Sequence, residues 1–314
     1  MRLHIAETED FSKDVLDRMN DVFELSTGPV KNLRLLLEEV DVFWFRLGYK
    51  IDSSVIGDNT RCKVLATPVT GIDHINEDLC AKNGIKIICL RGETEFLKEV
   101  RATAEHCVLL TLMLMRKAEK AVRETKTGRW ERDLYRGNEV YKKRIGILGM
   151  GRLGTIVASY FRAMGCEICY FDTKKVDVDS TYTVCKSAEE VVTKSDIISI
   201  HIPYNKTNHH IYGKGFFEAF DNTKWLINTA RGAIIDETYL LKVLQENTIK
   251  GAALDVLEGE PEVSQNPLLE YSRKHDNLII TPHIGGNTYE SFEKTEHFIA
   301  DRILEAVGIK KEKI

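Results

Sequence analysis

The stretch from Arg144 to Asp172 limits the fold of this chain more than any other. Arg144-Ile145-Gly146-Ile147-Leu148 is short and apolar, the signature of a buried strand. It runs straight into Gly149-Met150-Gly151-Arg152-Leu153-Gly154. Beyond that turn, Leu153, Ile156, Val157, Tyr160, Phe161 and Met164 recur at the spacing of one helix face. A second apolar run, Ile168-Cys169-Tyr170-Phe171, closes on Asp172. Strand, glycine turn, helix and strand make a βαβ unit, which requires a parallel sheet covered on both faces.

The glycine spacing has a physical reading. Gly149 permits the tight turn, Gly151 lets a pyrophosphate approach the backbone, and Gly154 lets helix and strand pack closely. Arg152 and Leu153 open the helix, where unpaired N–H groups and the positive dipole end favour phosphate. Asp172 stands 23 positions after Gly149. A carboxylate there accepts hydrogen bonds from ribose hydroxyls and repels a 2′-phosphate, so NAD is the expected cofactor rather than NADP.

The same rhythm pervades the chain. Strand-like runs fall at 3–6, 22–25, 42–45, 64–66 and 85–88, with helix-like segments between them. A long helical stretch is expected over 101–124, and strands then recur at 144–148, 167–172, 197–201, 226–229, 252–256 and 278–281. The expected fold class is α/β: two Rossmann-like, doubly wound parallel-sheet domains. A helix over 288–306 is expected to return to the first domain. The boundaries are then 1–100 with 288–314 for the first domain, and 101–287 for the domain that carries the glycine turn.

Composition excludes several classes. With 314 residues the chain needs no staples to fold. A formal net charge of −4 argues against a polyanion-binding surface, so no nucleic-acid partner is expected. The longest nearly unbroken apolar run, Cys107 to Met115, is far short of the ~20 residues a membrane span requires. The first residues lack a secretory signal pattern. Seven scattered cysteines read as thiols of a reducing cytoplasm. The Cys166/Cys169 pair reads as strand packing, and no metal site is expected.

Three further motifs follow in order: Asn228-Thr229-Ala230-Arg231-Gly232, Leu254-Asp255-Val256-Leu257-Glu258-Gly259-Glu260-Pro261 and Thr281-Pro282-His283-Ile284-Gly285-Gly286. Together with the glycine turn they resemble the D-isomer-specific 2-hydroxyacid dehydrogenase family, which includes phosphoglycerate, glycerate, lactate and hydroxypyruvate/glyoxylate enzymes. The likeness runs from about Lys63 to the C-terminus. It implies an active-site cleft between a substrate-binding, flavodoxin-like domain (1–100 with 288–314) and an NAD-binding Rossmann domain (101–287), with a catalytic set of Arg231, Glu260 and His283 acting on a small 2-hydroxy or 2-keto acid.

The chemistry asks for those residue types. Reducing a 2-keto acid needs a hydride at C2 and a proton on the carbonyl oxygen. Histidine is the natural proton donor near neutral pH. A carboxylate beside it stabilises the imidazolium and fixes the ring. An arginine fork holds the substrate carboxylate and carbonyl oxygen. Glu258 competes with Glu260 for the carboxylate role, and the Glu-Pro step together with the family pattern selects Glu260. His201 and His275 compete with His283, whose Pro-His-Ile-Gly-Gly setting after a strand is the family's.

The resemblance also places His201, Pro203, Thr229, Ala230, Gly285 and Gly286 around the cofactor, with Asp255 on the nicotinamide carboxamide. It implies substrate contacts from Arg46 and from the loop Val69-Thr70-Gly71. Many members carry glycine where Val69 stands. Leu47 and Gly48 intervene before Tyr49-Lys50, which leaves a phosphorylated substrate open. Segment 128–140 resembles the family's dimerisation arm, with Trp130 as anchor, so a homodimer is expected. No C-terminal regulatory module is expected. A catalytically weak NAD(H)-sensing scaffold is the alternative function. A formate-type enzyme would carry glutamine where Glu260 stands.

Overall fold

A computed structural model describes residues 1–309. The chain divides into two compact units, Met1–Val100 with the chain from Asn287 on, and Arg101–Gly286.

In the first unit five parallel strands, β1 (Arg2–Ile5), β2 (Glu24–Thr27), β3 (Val42–Trp44), β4 (Val64–Ala66) and β5 (Lys86–Ile88), lie in the order β2-β1-β3-β4-β5. The helix Tyr289–Ala306 belongs to this unit. The Thr288 side chain caps it by accepting the Ser291 N–H. Its Ile299, Ala300, Ile303 and Leu304 are buried in one cluster with Leu3, Ile5, Val42, Trp44 and Val64. This apolar face returns the chain to the sheet it began with.

The second unit holds seven parallel strands: β6 (Arg144–Leu148), β7 (Glu167–Phe171), β8 (Thr183–Val184), β9 (Ile197–Ile200), β10 (Trp225–Asn228), β11 (Gly251–Leu254) and β12 (Leu278–Ile280). Their order is β12-β11-β10-β9-β6-β7-β8. From β6 the chain winds outward through β7 and β8, then restarts on the other side of β6 with β9. The switch point between β6 and β9 is where doubly wound sheets bind ligands, beyond the carboxyl ends of the strands.

Two details differ from the expected elements. The long helix is two helices, Ala102–Arg116 and Ala118–Thr125, because Lys117 takes a left-handed conformation (φ 52°) between them. The first is apolar enough to be buried along much of its length, whereas the second has no buried residue. The two-residue edge strand β8 has no apolar run, and both its residues are exposed. Cys166 and Cys169 are free thiols in separate core clusters.

Candidate active site

The residues of the glycine turn follow β6. Gly149 has φ +92°, and a side chain there would strike Ile202 and the His201 backbone. A Cβ on Gly154 would lie 2.1 Å from the Gly149 carbonyl oxygen, so only glycine lets the helix Arg152–Ala163 start this close. Around Gly151 a Cβ would meet nothing within 4 Å. This glycine is not demanded by the fold, and the space beside it is open to a ligand. Arg152 is partly buried, and that burial lowers the pKa of its guanidinium. Asp172, directly after β7, accepts the Met150 N–H at one carboxylate oxygen and the Lys174 N–H at the other, both at 2.8 Å. Its side chain thus braces the turn and still has lone pairs for hydroxyl donors.

The loops after β9 and β10 line the same edge. The His201 N–H donates to the Leu148 carbonyl at 2.7 Å, bridging β9 to β6. The ring of His201 meets the Ser199 hydroxyl through Nε2 at 2.8 Å, while Nδ1 is buried without a protein partner. Burial holds this imidazole's pKa down to about 3, so it is neutral throughout the physiological range. The Thr229 hydroxyl is likewise buried and unpartnered. Asn228 accepts the Ala230 N–H and donates to the Arg231 carbonyl, both at 3.0 Å, which fixes the turn carrying Arg231. The Arg231 guanidinium donates back to the Ala230 carbonyl at 2.8 Å.

Two orphaned polar atoms, an open glycine and a left-handed turn lie on the loops at the switch point, and their chemistry fits a dinucleotide. Pro203 and Ala230 lie on the same loops, and Gly285 and Gly286 on the loop after β12. A Cβ on Gly285 would lie 2.9 Å from Asp255 Oδ2.

The loops after β11 and β12 carry Glu260 and His283. His283 Nδ1 lies 2.8 Å from Glu260 Oε1, and both side chains remain partly exposed. With the Nδ1 proton donated to the carboxylate, Nε2 is the nitrogen left for chemistry. His283 itself has φ +53°, a left-handed position rarely taken by a side-chain-bearing residue. Its N–H is held by the carbonyls of Asp255 (2.8 Å) and Thr281 (3.0 Å).

Asp255 organises this loop. Its carboxylate is 1% exposed. Oδ1 accepts from the Thr281 hydroxyl (2.6 Å), the Ile284 N–H (2.9 Å) and His106 Nε2 (3.2 Å), and Oδ2 from the Gly285 N–H (2.8 Å). Burial pushes this carboxyl's pKa up, but the four hydrogen bonds outweigh it and hold it below the usual carboxylate range. The Asp255 side chain is therefore chiefly a brace for the histidine loop, a duty the sequence did not suggest. His106 and Thr281 belong to that brace and carry no motif of their own; the only signal was a polar His106 opening an apolar helix.

Arg231, Glu260 and His283 thus leave the carboxyl ends of three neighbouring strands, β10, β11 and β12. The family model of the D-isomer specific 2-hydroxyacid dehydrogenase NAD binding domain matches residues 108–285. The chain belongs to this family. The unit that carries the site is the family's NAD-binding domain. D-3-phosphoglycerate dehydrogenase of Bacillus subtilis is 32% identical over 96% of this chain, and the chain spans 56% of that relative's length. A glyoxylate reductase of Thermofilum pendens is 31% identical over 90% of this chain and 84% of its own. A solved structure of a protein from Thermus thermophilus superposes with a TM-score of 0.86 at 25% identity, covering 98% and 97% of the two chains.

In the first unit the expected substrate residues fare differently. Thr70 is exposed after β4 with Gly71 beside it, and Val69 is half-buried, its carbonyl accepting the Leu90 N–H at 3.0 Å. Arg46 is partly buried. Its guanidinium donates to Glu296 Oε1 at 2.6 Å and lies 3.9 Å from the centre of the Phe292 ring. A substrate anion at Arg46 would therefore compete with a carboxylate of its own unit. No helix of the described residues is long and apolar enough to cross a membrane.

Proposed function

We propose that this chain is an NAD-dependent D-2-hydroxyacid dehydrogenase working as a reductase of small, unphosphorylated 2-keto acids. The observation that carries the reading is the 2.8 Å contact between His283 Nδ1 and Glu260 Oε1, on the strand edge that also bears Arg231 and the glycine turn. NADH, when bound, supplies the hydride that C2 of the keto acid receives. His283 donates its Nε2 proton to the carbonyl oxygen, and in oxidation it takes that proton back. Glu260 keeps the ring in the tautomer that presents Nε2 and stabilises the imidazolium. Arg231 offers the planar fork that a 2-keto carboxylate requires.

Gly149, Gly151, Arg152, Leu153 and Gly154 would hold the pyrophosphate, and Asp172 the ribose hydroxyls. Thr229 Oγ1 and His201 Nδ1 would gain the partners they lack. Asp255 Oδ2, which carries one hydrogen bond, would take a carboxamide donor. Thr70 and Gly71 would contribute to substrate binding. The Arg46–Glu296 pair favours an unphosphorylated substrate, since a phosphate would have to compete with a carboxylate 2.6 Å away. The arm carries Trp130, 86% exposed, and Leu134, 42% exposed, which supports a homodimer.

The test is a panel of 2-keto acids with NADH, following loss of NADH absorbance. Turnover is expected with glyoxylate- or hydroxypyruvate-sized acids and far less with a phosphorylated analogue. Tight NADH binding with no turnover on any acid would replace the reductase by a sensing scaffold.

A further inference from the structure

We propose that His209, His210 and Glu258 form a binding site for a divalent transition-metal ion of the zinc class, separate from the catalytic set. Their donor atoms all lie within 4.8 Å of one another. His210 Nε2 is 2.7 Å from Glu258 Oε2, and His209 Nε2 is 3.8 Å from Glu258 Oε1. Ligands about 2.0–2.2 Å from a tetrahedral ion stand roughly 3.3–3.5 Å apart. The present spacings bracket that value, so small side-chain rotations suffice.

One feature of the backbone presents adjacent histidines to one point. His210 has φ +52°, a left-handed conformation in a residue with a full side chain. The two rings consequently stack, with centroids 3.8 Å apart and planes 22° from parallel. Successive side chains in an extended segment would point to opposite sides. The strain is held by the loop itself. Asn205 and Asn208 cap each other's backbone, and Asn208 donates to the Pro203 carbonyl at 2.7 Å. The His210 N–H donates to the Ala233 carbonyl at 2.9 Å.

The outer contacts suit a ligand set. His209 Nδ1 faces the Tyr204 hydroxyl at 3.4 Å, which leaves Nε2 for an ion. The Glu258 N–H donates to Glu237 Oε1 at 2.7 Å, and Glu237 in turn accepts from Asn266 at 2.6 Å. All three residues are at least partly exposed, so an ion can enter and a water can complete its coordination. Two imidazoles and one carboxylate suit zinc, cobalt or nickel better than magnesium or calcium.

The placement suggests what the ion does. The histidines sit on the loop after β9 and Glu258 on the loop after β11, with the β10 turn between them. A Cβ on Gly232, next to Arg231, would already overlap the Leu257 backbone. An ion would clamp the two outer loops over the turn that carries Arg231.

The test starts from the full chain freed of metal by chelation and dialysis. Zinc chloride titration by calorimetry is expected to give one ion per chain and a rise in melting temperature with zinc concentration. Cobalt(II) should give the visible bands of a nitrogen–oxygen site without the intense near-ultraviolet absorption of thiolate ligation. His209→Ala and the isosteric Glu258→Gln should each weaken binding about tenfold or more, while His275→Ala, an exposed histidine elsewhere, should not. Should one of these ligand variants fail to fold, the other decides. Unchanged affinity in a folded ligand variant, thiolate absorption with cobalt, or no binding at millimolar zinc would overturn the proposal.

Discussion

Asp255 and His283 are joined through both main chain and side chain. The Asp255 carbonyl accepts the His283 N–H at 2.8 Å, while its carboxylate holds the next two N–H groups, of Ile284 and Gly285. A buried carboxylate thereby sets the left-handed backbone of His283. Asp255→Asn keeps the shape but points an amide donor at one of those N–H groups. The expected outcome is a loss on the order of 2–3 kcal/mol of stability, read by urea denaturation. Because the folded carboxyl is held below its ordinary range, the lost contribution is the one present above about pH 4, and wild type and variant should converge as pH falls below it. Equal denaturation midpoints at neutral pH would show that the brace carries no weight.

His283→Ala should lower kcat by on the order of 10²–10⁴, the usual worth of a general acid. NADH affinity should barely change, since the glycine turn and Asp172, which would hold the pyrophosphate and the ribose, stand on other loops. Glu260→Gln should reduce kcat less, because the ring keeps a hydrogen-bond acceptor but loses the charge that steadies the imidazolium. Steady-state kinetics together with NADH fluorescence titration separate the two effects. Turnover undiminished in His283→Ala would remove this residue from the mechanism.

The two neighbouring glycines should respond in opposite ways. Gly154→Ala puts a methyl 2.1 Å from the Gly149 carbonyl oxygen and should cost about 1–3 kcal/mol of stability by overpacking. Gly151→Ala meets open space at φ −74°, so stability should stay within about 1 kcal/mol. Its methyl would nevertheless stand where a pyrophosphate approaches, and NADH affinity should fall by roughly tenfold, about 1.4 kcal/mol. Melting curves and NADH titrations of both variants check the contrast. A Gly151→Ala protein that binds NADH normally would move the cofactor away from this turn.

What the sequence showed and what it concealed follow from the range of the interactions. The α/β class was legible because parallel strands buried on both faces leave apolar runs that need no partner to be recognised. The runs mark burial rather than pairing, so edges shift. Phe23 is buried, yet β2 begins at Glu24, where pairing with β1 starts. The glycine turn was legible because its constraint lies within six residues. The contact of His106 with Asp255 spans 149 positions and leaves no local pattern. Nor did the Arg46–Glu296 pair, which spans 250 positions. The left-handed backbone that turns His209 and His210 toward one point is likewise fixed by contacts outside that dipeptide.

His201 offers a test of burial at the cofactor edge through pH. In the folded chain its pKa is held at about 3, and in the unfolded chain it is near the ordinary ~6.5. Below about pH 6.5 the unfolded chain therefore binds a proton that the folded chain refuses. Stability must fall as pH drops from about 6.5 toward about 3, by up to ~1.4 kcal/mol per pH unit from this residue alone. Other groups titrate in the same window, so the difference between wild type and His201→Gln isolates the effect. Glutamine cannot take up the proton, and its stability should decline less steeply between about pH 6 and pH 4. Parallel curves for the two proteins would mean that the imidazole is charged in the fold, and that its unpartnered Nδ1 is not the desolvated acceptor described for this loop.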